Sequence, residues 1–522
     1  MKKLSCLLAV LLSVCLAASS AMACTAIYVG SDLTEDGTAF FARSEDFANS
    51  RNKVMFVSPA GNHKAGEEYV GCYGFTWTFL CDSYAYTAFR DDNLETVGYE
   101  CPNCGGTHAH TPYEAGGTNE MGVSVSATET LPSSDALLEV DPFLDTGIEE
   151  AEITTMILSQ AASAREGVEL ILSIYDTAGC CDGAGIFVAD DKEIWYIENT
   201  SGHQYVALKL PSSLVFSEPN LSIIGLIDLD DTENVIASAN LIAVAQQAGT
   251  FVGDAEANVI DYRASYNPDQ TSCPRLISAL AYFNPAYDYT DAEPAYELYT
   301  LSNLDAQGGI VPLHNGIELD HAYGIADVIG YYHLAGIGST RNLETHIFQI
   351  GGEDSKTDTV EWVAMDDASC NVFVPYYPML TTDVDASLKL GTATAAFVEE
   401  EPAEGLYYAT TTTRRVDGER VNVEGFRILP ENWADSFYWS IDAISNLVAY
   451  GSLTEEQTAT VKDALAAQQE SVYAAFAQMK ADVAAAADDQ AAAAAATAAS
   501  MSMTQQVHEL AVSLVHTVTQ AK

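Results

Sequence analysis

The chain has 522 residues, and 74 Asp and Glu against 22 Lys and Arg give it a formal charge of −52. That balance repels nucleic acid and anionic membrane, and it reads as a solvated acidic surface. Because 48% of the residues are apolar and 10% aromatic, the chain can bury one large or two ordinary cores and is not a disordered acidic protein.

Residues 1–23 have the layout of an export signal. Lys2 and Lys3 form a positive start, an apolar run extends from Leu4 to Ala18, and Ala21-Met22-Ala23 makes a small-x-small cleavage site. The expected mature chain begins at Cys24 and is secreted or extracytoplasmic, with a charge of −54 once the two lysines leave. No later run has the length of apolar sequence that a membrane-spanning helix needs.

Cys6 and Cys15 leave with the signal, so nine of the eleven cysteines remain. Setting Cys24 aside leaves Cys72, Cys81, Cys101, Cys104, Cys180, Cys181, Cys273 and Cys370, an even number that can all pair in an oxidising compartment. Cys101-Pro102-Asn103-Cys104 with His108 and His110 also has the look of a zinc knuckle. Export favours disulfides there over metal, and no metal or cofactor is expected.

After the signal, Thr25 to Val29 and Thr38 to Ala42 read as strands joined by a polar turn ending in Asp36-Gly37. Centred near residue 34, this hairpin places Cys24 opposite about residue 44, beside Arg43, Glu45 and Asp46. Asn62 to Gly117 is rich in Gly, Tyr and Cys and reads as loops and short strands. A turn over Gly116 to Gly122 leads into an alternating strand, Val123 to Ala127. Glu149 to Tyr175 has helical spacing broken near Gly167. Strands return at Gly185 to Ala189, Glu193 to Glu198 and Tyr205 to Leu208, and later at Thr345 to Ile350, Thr359 to Ala364 and Asn371 to Val374. Strands, then helices, then strands again point to an α+β core. From about Trp433 the chain is helical, and its alanine-rich stretch Ala484 to Ala499 reads as a solvent- or partner-facing helix. The expected organisation is a signal at 1–23, a catalytic domain at 24–430 and a helical region at 431–522.

A cysteine at a mature N-terminus carries both a nucleophile and, in its α-amine, a base with a pKa of roughly 8. No separate histidine is then required. Arg43 can hold a thiolate or a substrate carboxylate, and Asp46 can orient the α-ammonium or a substrate amine. His346 lies on an alternating strand and reads as a structural histidine.

Cys24-Thr25-Ala26-Ile27-Tyr28-Val29-Gly30, followed by Asp36-Gly37 and Ala42-Arg43-Ser44-Glu45-Asp46, resembles the start of the dipeptidase A family, the cysteine-type N-terminal nucleophile (Ntn) hydrolases of peptidase family C69. Further motifs follow in family order: Gly117 to Thr130, Glu193 to Glu198, Gly202-His203-Gln204, Asn220, Arg341, Glu344 to Ile350, Trp362 and Phe373 to Tyr377. The resemblance implies a four-layer αββα sandwich that hydrolyses dipeptides or short peptides, with Cys24 as nucleophile and Arg43 and Asp46 beside it. It further suggests Asn119 and Asn220 for oxyanion or amine contacts and Arg341 for a supporting charge. Ile223 stands where the family pattern has an arginine. Related enzymes cut N-acyl amides such as penicillins and bile-salt conjugates, which gives an alternative substrate class; an oligomer is compatible with either. A lipid-anchored binding protein acylated at Cys24 is a third reading, against which stand Ala21, where a lipobox favours leucine, and the bulky Met22.

Overall fold

The computed structural model describes residues 24–46, 52–71, 74–92, 114–286, 299–352, 355–390, 395–416, 419–450 and 453–520. The proposed signal and Cys72, Cys101 and Cys104 lie outside them. β1 (Thr25–Val29) and β2 (Ala39–Asp46) form the expected hairpin, with Gly37 at φ 76° where the turn needs a left-handed residue. Thr25 pairs with Ser44 and Ala26 with Arg43. Extrapolating that register puts Cys24 opposite Glu45, one residue beyond the expected position. One residue changes the face, so Cys24 shares its side of the sheet with Arg43 and Glu45 and not with Ser44.

The chain then lays down β3 (Lys53–Ser58), β4 (Tyr86–Asp91), β5 (Glu114–Asn119) and β6 (Ser124–Thr130). Helices α1 (Glu150–Gln160) and α2 (Ala164–Thr177) follow. The helix break expected near Gly167 falls instead at 161–163, where Ser163 caps α2 by accepting from the Glu166 N–H at 3.2 Å. Gly167 lies inside α2 because a Cβ there would stand 2.8 Å from the Ile157 side chain of α1. β7 (Ala184–Ala189), β8 (Ile194–Asn199), β9 (Tyr205–Lys209), β10 (Val215–Glu218) and β11 (Val235–Ala237) come next. Then follow α3 (Pro274–Phe283), β12 (Asn342–Ile350), β13 (Val360–Met365) and β14 (Val374–Tyr376).

Among the described residues these strands form a six-stranded antiparallel sheet, ordered β10-β1-β2-β12-β13-β14, and an eight-stranded one, ordered β11-β9-β8-β7-β6-β5-β4-β3. The inner faces meet through aromatics: Phe41 of the first sheet stacks on Phe187 of the second at 5.4 Å and on Phe348 at 4.8 Å. α1 and α2 cover the other face of the eight-stranded sheet, where Ile153, Ile157, Val168 and Ile171 join Val125, Ile186 and Trp195 in one cluster. Covered on both faces, β1 and β2 are buried at every position instead of alternating.

A hairpin of β15 (Tyr407–Val416) and β16 (Glu419–Ile428) leads to α4 (Phe437–Ala449), α5 (Glu455–Ala484) and α6 (Asp489–Gln520). These helices belong to the main hydrophobic cluster. Phe476 meets Trp362 edge-on at 4.9 Å, and Gln469 both accepts from the Phe373 N–H at 2.8 Å and donates to its carbonyl at 3.2 Å. The alanine-rich stretch is therefore not merely solvent-facing. Ala496 is fully buried, and Ser500, one residue past the stretch, donates to the Pro375 carbonyl at 2.8 Å, because small side chains let α6 approach the sheet closely.

Full pairing of the eight remaining cysteines is not found. Cys81, Cys180, Cys181, Cys273 and Cys370 are free thiols, and Cys180-Cys181 forms no vicinal bridge. Cys180 is a buried packing thiol, its sulfur accepting from Asn199 Nδ2 at 3.1 Å. Among the described residues no helix is long and apolar enough to cross a membrane.

Candidate active site

Cys24 lies at the open end of the β1–β2 hairpin, buried, with its thiol directed at groups from β2. The Asp46 backbone N–H donates to Sγ at 3.5 Å and Arg43 Nη1 approaches it at 3.9 Å. Two N–H groups, one of them cationic, favour the thiolate over the thiol. Arg43 is almost fully buried, and its other terminal nitrogen lies 3.4 Å from the Ala115 carbonyl and 3.9 Å from both Glu45 and Glu344. Lys53 closes the group, 2.6 Å from Glu45 and 2.7 Å from Asp91. Burial pushes the Glu45 carboxyl up to about 7 against the opposing charge of Lys53.

Asp46 accepts from Asn342 Nδ2 at 2.6 Å. Burial raises its carboxyl to about 6, while the Asn342 hydrogen bond and the charges of Arg275 and Arg341 oppose the rise. Arg341 thus stands where its charge acts on Asp46. Asn342 also donates to the Ile337 carbonyl at 3.2 Å and accepts from the N–H groups of Ser339 at 2.9 Å and Ala368 at 3.2 Å, which fixes its amide.

Arg275, in the first turn of α3, ties these parts together. Its Nη1 donates to the Cys24 carbonyl and, at 2.6 Å, to Thr25 Oγ1. Its Nη2 donates to the Pro219 carbonyl at 2.7 Å and to Asn220 Oδ1 at 3.1 Å. Asn220, at φ 59°, directs its Nδ2 to the Thr130 carbonyl at 3.2 Å. Cys24, Arg43, Asp46, Asn220 and Arg341 are therefore linked through one neighbourhood.

Asn119 is not brought there. Its Nδ2 donates to the carbonyls of Leu158 at 3.0 Å and Ala161 at 2.8 Å, and its Oδ1 accepts from the N–H groups of Met121 and Val123, both at 3.0 Å. It fastens the β5–β6 turn to the end of α1, about 13 Å along the strand from Ala115. Ile223, where an arginine was expected, packs in the core while its N–H donates to the buried Glu198 at 2.7 Å. His346 is buried between Ser126 and Glu344, away from solvent.

Sequence reasoning missed Arg275 and Asn342. A cation in a helix's first turn opposes the helix dipole, so Arg275 directly after Pro274 was a signal of a task outside its own helix. Asn342 carried no comparable signal beyond its place next to Arg341.

Residues 23–416 match the family model of Peptidase family C69. The chain is 31% identical over 389 residues to probable dipeptidase B of Streptococcus pyogenes serotype M1, covering 70% of this chain and 74% of that protein. It is 30% identical over 368 residues to a probable dipeptidase of Salmonella dublin, covering 68% of this chain and 81% of the relative. To a dipeptidase of Bifidobacterium longum (strain NCC 2705) it is 24% identical over 404 residues, covering 69% and 72% of the two chains.

Proposed function

The chain belongs to peptidase family C69, and from that premise we propose that it is an exported dipeptidase whose nucleophile, Cys24, is exposed by signal peptidase. The observation that carries this reading is the convergence on the Cys24 sulfur of the Asp46 N–H at 3.5 Å and Arg43 at 3.9 Å, directly behind Ala21-Met22-Ala23. On this reading the two facing sheets and their helices form the αββα sandwich of an Ntn hydrolase.

The reaction is acyl transfer. The α-amine of Cys24 takes the thiol proton, and the thiolate, held by Arg43, attacks the peptide carbonyl. Asn220 and backbone N–H groups receive the oxyanion, Asp46 holds the α-ammonium, and that ammonium protonates the leaving amine. Water then hydrolyses the thioester. Arg275 fixes the backbone of the nucleophile, and Arg341 adds positive charge beside Asp46. No cofactor enters the scheme, and the substrate is an unblocked dipeptide or short peptide.

Cys24→Ser in correctly processed protein, assayed on a dipeptide panel, tests the reading. Turnover should vanish; retained turnover overturns the nucleophile. Intact mass of the mature protein should give a chain beginning at unmodified Cys24, whereas a diacylglycerol adduct would reveal a lipid anchor and end the N-terminal amine mechanism. Cleavage of N-acyl amides alone would transfer the enzyme to the acylase substrate class.

A further inference from the structure

A file of buried polar side chains leads away from Cys24 between the two sheets, and the acyl-transfer scheme uses only its first member. Arg43 Nη2 lies 3.9 Å from Glu344 Oε1. Glu344 lies 3.0 Å from His346 Nδ1, and His346 Nε2 lies 2.7 Å from Ser126 Oγ. Glu344 and His346 are 0% exposed and Ser126 is 1% exposed. The order Ser–His–Glu is that of a hydrolytic triad. At that burial, however, the Ser126 oxygen serves the imidazole and not a substrate.

The proton inventory gives the file a direction. Burial would raise the Glu344 carboxyl, but His346, Arg43 and Lys53 together hold it below the usual range, so it is an acceptor only. Burial holds the His346 imidazole below its ordinary value against the pull of Glu344, which favours the neutral ring. Nδ1 then carries the proton and donates to Glu344, which leaves Nε2 to accept from the Ser126 hydroxyl. Glu344 is thereby fixed in orientation. Its carboxylate, Glu45 and the Ala115 carbonyl hold one terminal nitrogen of Arg43, and the other is left facing Cys24 Sγ at 3.9 Å.

We propose that Ser126, His346 and Glu344 are a positioning network that aims Arg43 at the Cys24 thiol. The proposal rests on Cys24 being the nucleophile. Among the described residues, the titratable and charged groups facing the network and the thiol include Arg43, Glu45 and Asp46 on β2, Lys53 on β3, Asp91 on β4, Glu344 and His346 on β12, and Arg275 and Arg341 beside Asp46.

Ser126→Ala and His346→Gln both leave the formal charge unchanged, so a change in thiol titration in either variant reads geometry. The measurement is the pH dependence of Cys24 carbamidomethylation by iodoacetamide, followed by peptide mass spectrometry, alongside kcat and KM on a dipeptide. The midpoint should rise by about half a pH unit or more, with kcat down about tenfold and KM within about twofold. In an Arg43→Lys background Ser126→Ala should add no further shift, because the network then has nothing left to aim. Folded variants with the wild-type midpoint and kcat overturn the proposal, as does a lowered melting temperature with an unmoved midpoint, the mark of a purely structural role. Because the readout follows the thiol itself, such a result leaves the nucleophile standing; only turnover by Cys24→Ser removes that.

Discussion

Arg275 donates to Asn220 Oδ1 at 3.1 Å while its other terminal nitrogen holds the carbonyl of Cys24. One planar guanidinium therefore sets the spacing between the proposed nucleophile and the proposed oxyanion donor. Five donors in a fixed fork make arginine suited to such a span, which a lysine ammonium cannot reproduce.

Arg275→Ala should lower kcat/KM by about 100-fold or more, on the scale of losing a preorganised oxyanion contact. Arg275→Lys keeps the charge and loses the fork, so it should recover only a minor part. Steady-state kinetics with a melting curve for each variant checks this; near-wild-type turnover by the lysine variant would reduce Arg275 to a source of charge.

The 2.6 Å bond from Asn342 stabilises the ionised form of Asp46, whose carboxyl burial has already raised to about 6. Asn342→Ala should move that carboxyl further up, because a donor to the charged form has gone. If ionised Asp46 holds the α-ammonium, the acidic limb of the kcat/KM profile shifts to higher pH. The folded protein should also lose about 1.5–3 kcal/mol above pH 7. A kcat/KM–pH profile and denaturant melts read both effects.

How far the sequence disclosed this site depended on the distance along the chain over which each contact forms. The β1–β2 hairpin was legible because a polar turn ending in Asp36-Gly37 separates two apolar runs, and it brought Arg43 and Asp46 to Cys24 within one residue of register. The 3-10 turn over Ser31–Leu33 lengthens the connection, and no local pattern reports that. Arg275 meets Cys24 across 251 residues and Asn342 meets Asp46 across 296, so neither spacing leaves a periodic trace. The C-terminal helices misled in another way. A run of alanine has little amphipathic contrast, so composition hid the face that packs on the sheet.

Asn119 shows the converse case, a motif asparagine whose side-chain hydrogen bonds go to the β5–β6 turn and the end of α1 and not to Cys24. An asparagine three residues before a glycine at φ 84° is turn chemistry, and its four hydrogen bonds are all structural. Asn119→Ala should therefore cost about 2–4 kcal/mol of stability at roughly 1 kcal/mol per bond. The kcat of the folded fraction, counted by active-site titration, should stay within about twofold. A collapse of kcat in a variant of unchanged melting temperature would return Asn119 to the catalytic machinery.

Glu361 offers the cleanest view of what burying acid between the sheets costs. Its carboxyl accepts from Thr87 Oγ1 at 2.8 and 3.0 Å, and burial outweighs the Thr118 and Thr87 hydrogen bonds to push it up to about 7. A carboxyl whose folded pKa exceeds its unfolded value binds its proton more tightly in the native state. Its stabilising share is complete below the ordinary carboxylate range and is lost as pH rises through about 7. A shift of this size amounts to about 3 kcal/mol by pH 8. Glu198, also raised to about 7 by burial, adds in the same direction. The melting temperature should therefore fall between pH 5 and pH 8. Glu361→Gln, neutral at every pH, should match the wild type near pH 5 and exceed it by about 1–3 kcal/mol at pH 8. Calorimetry at constant ionic strength decides the matter: a variant less stable than wild type at both pH values would mean that the ionised carboxylate is favoured by its threonine partners in spite of burial.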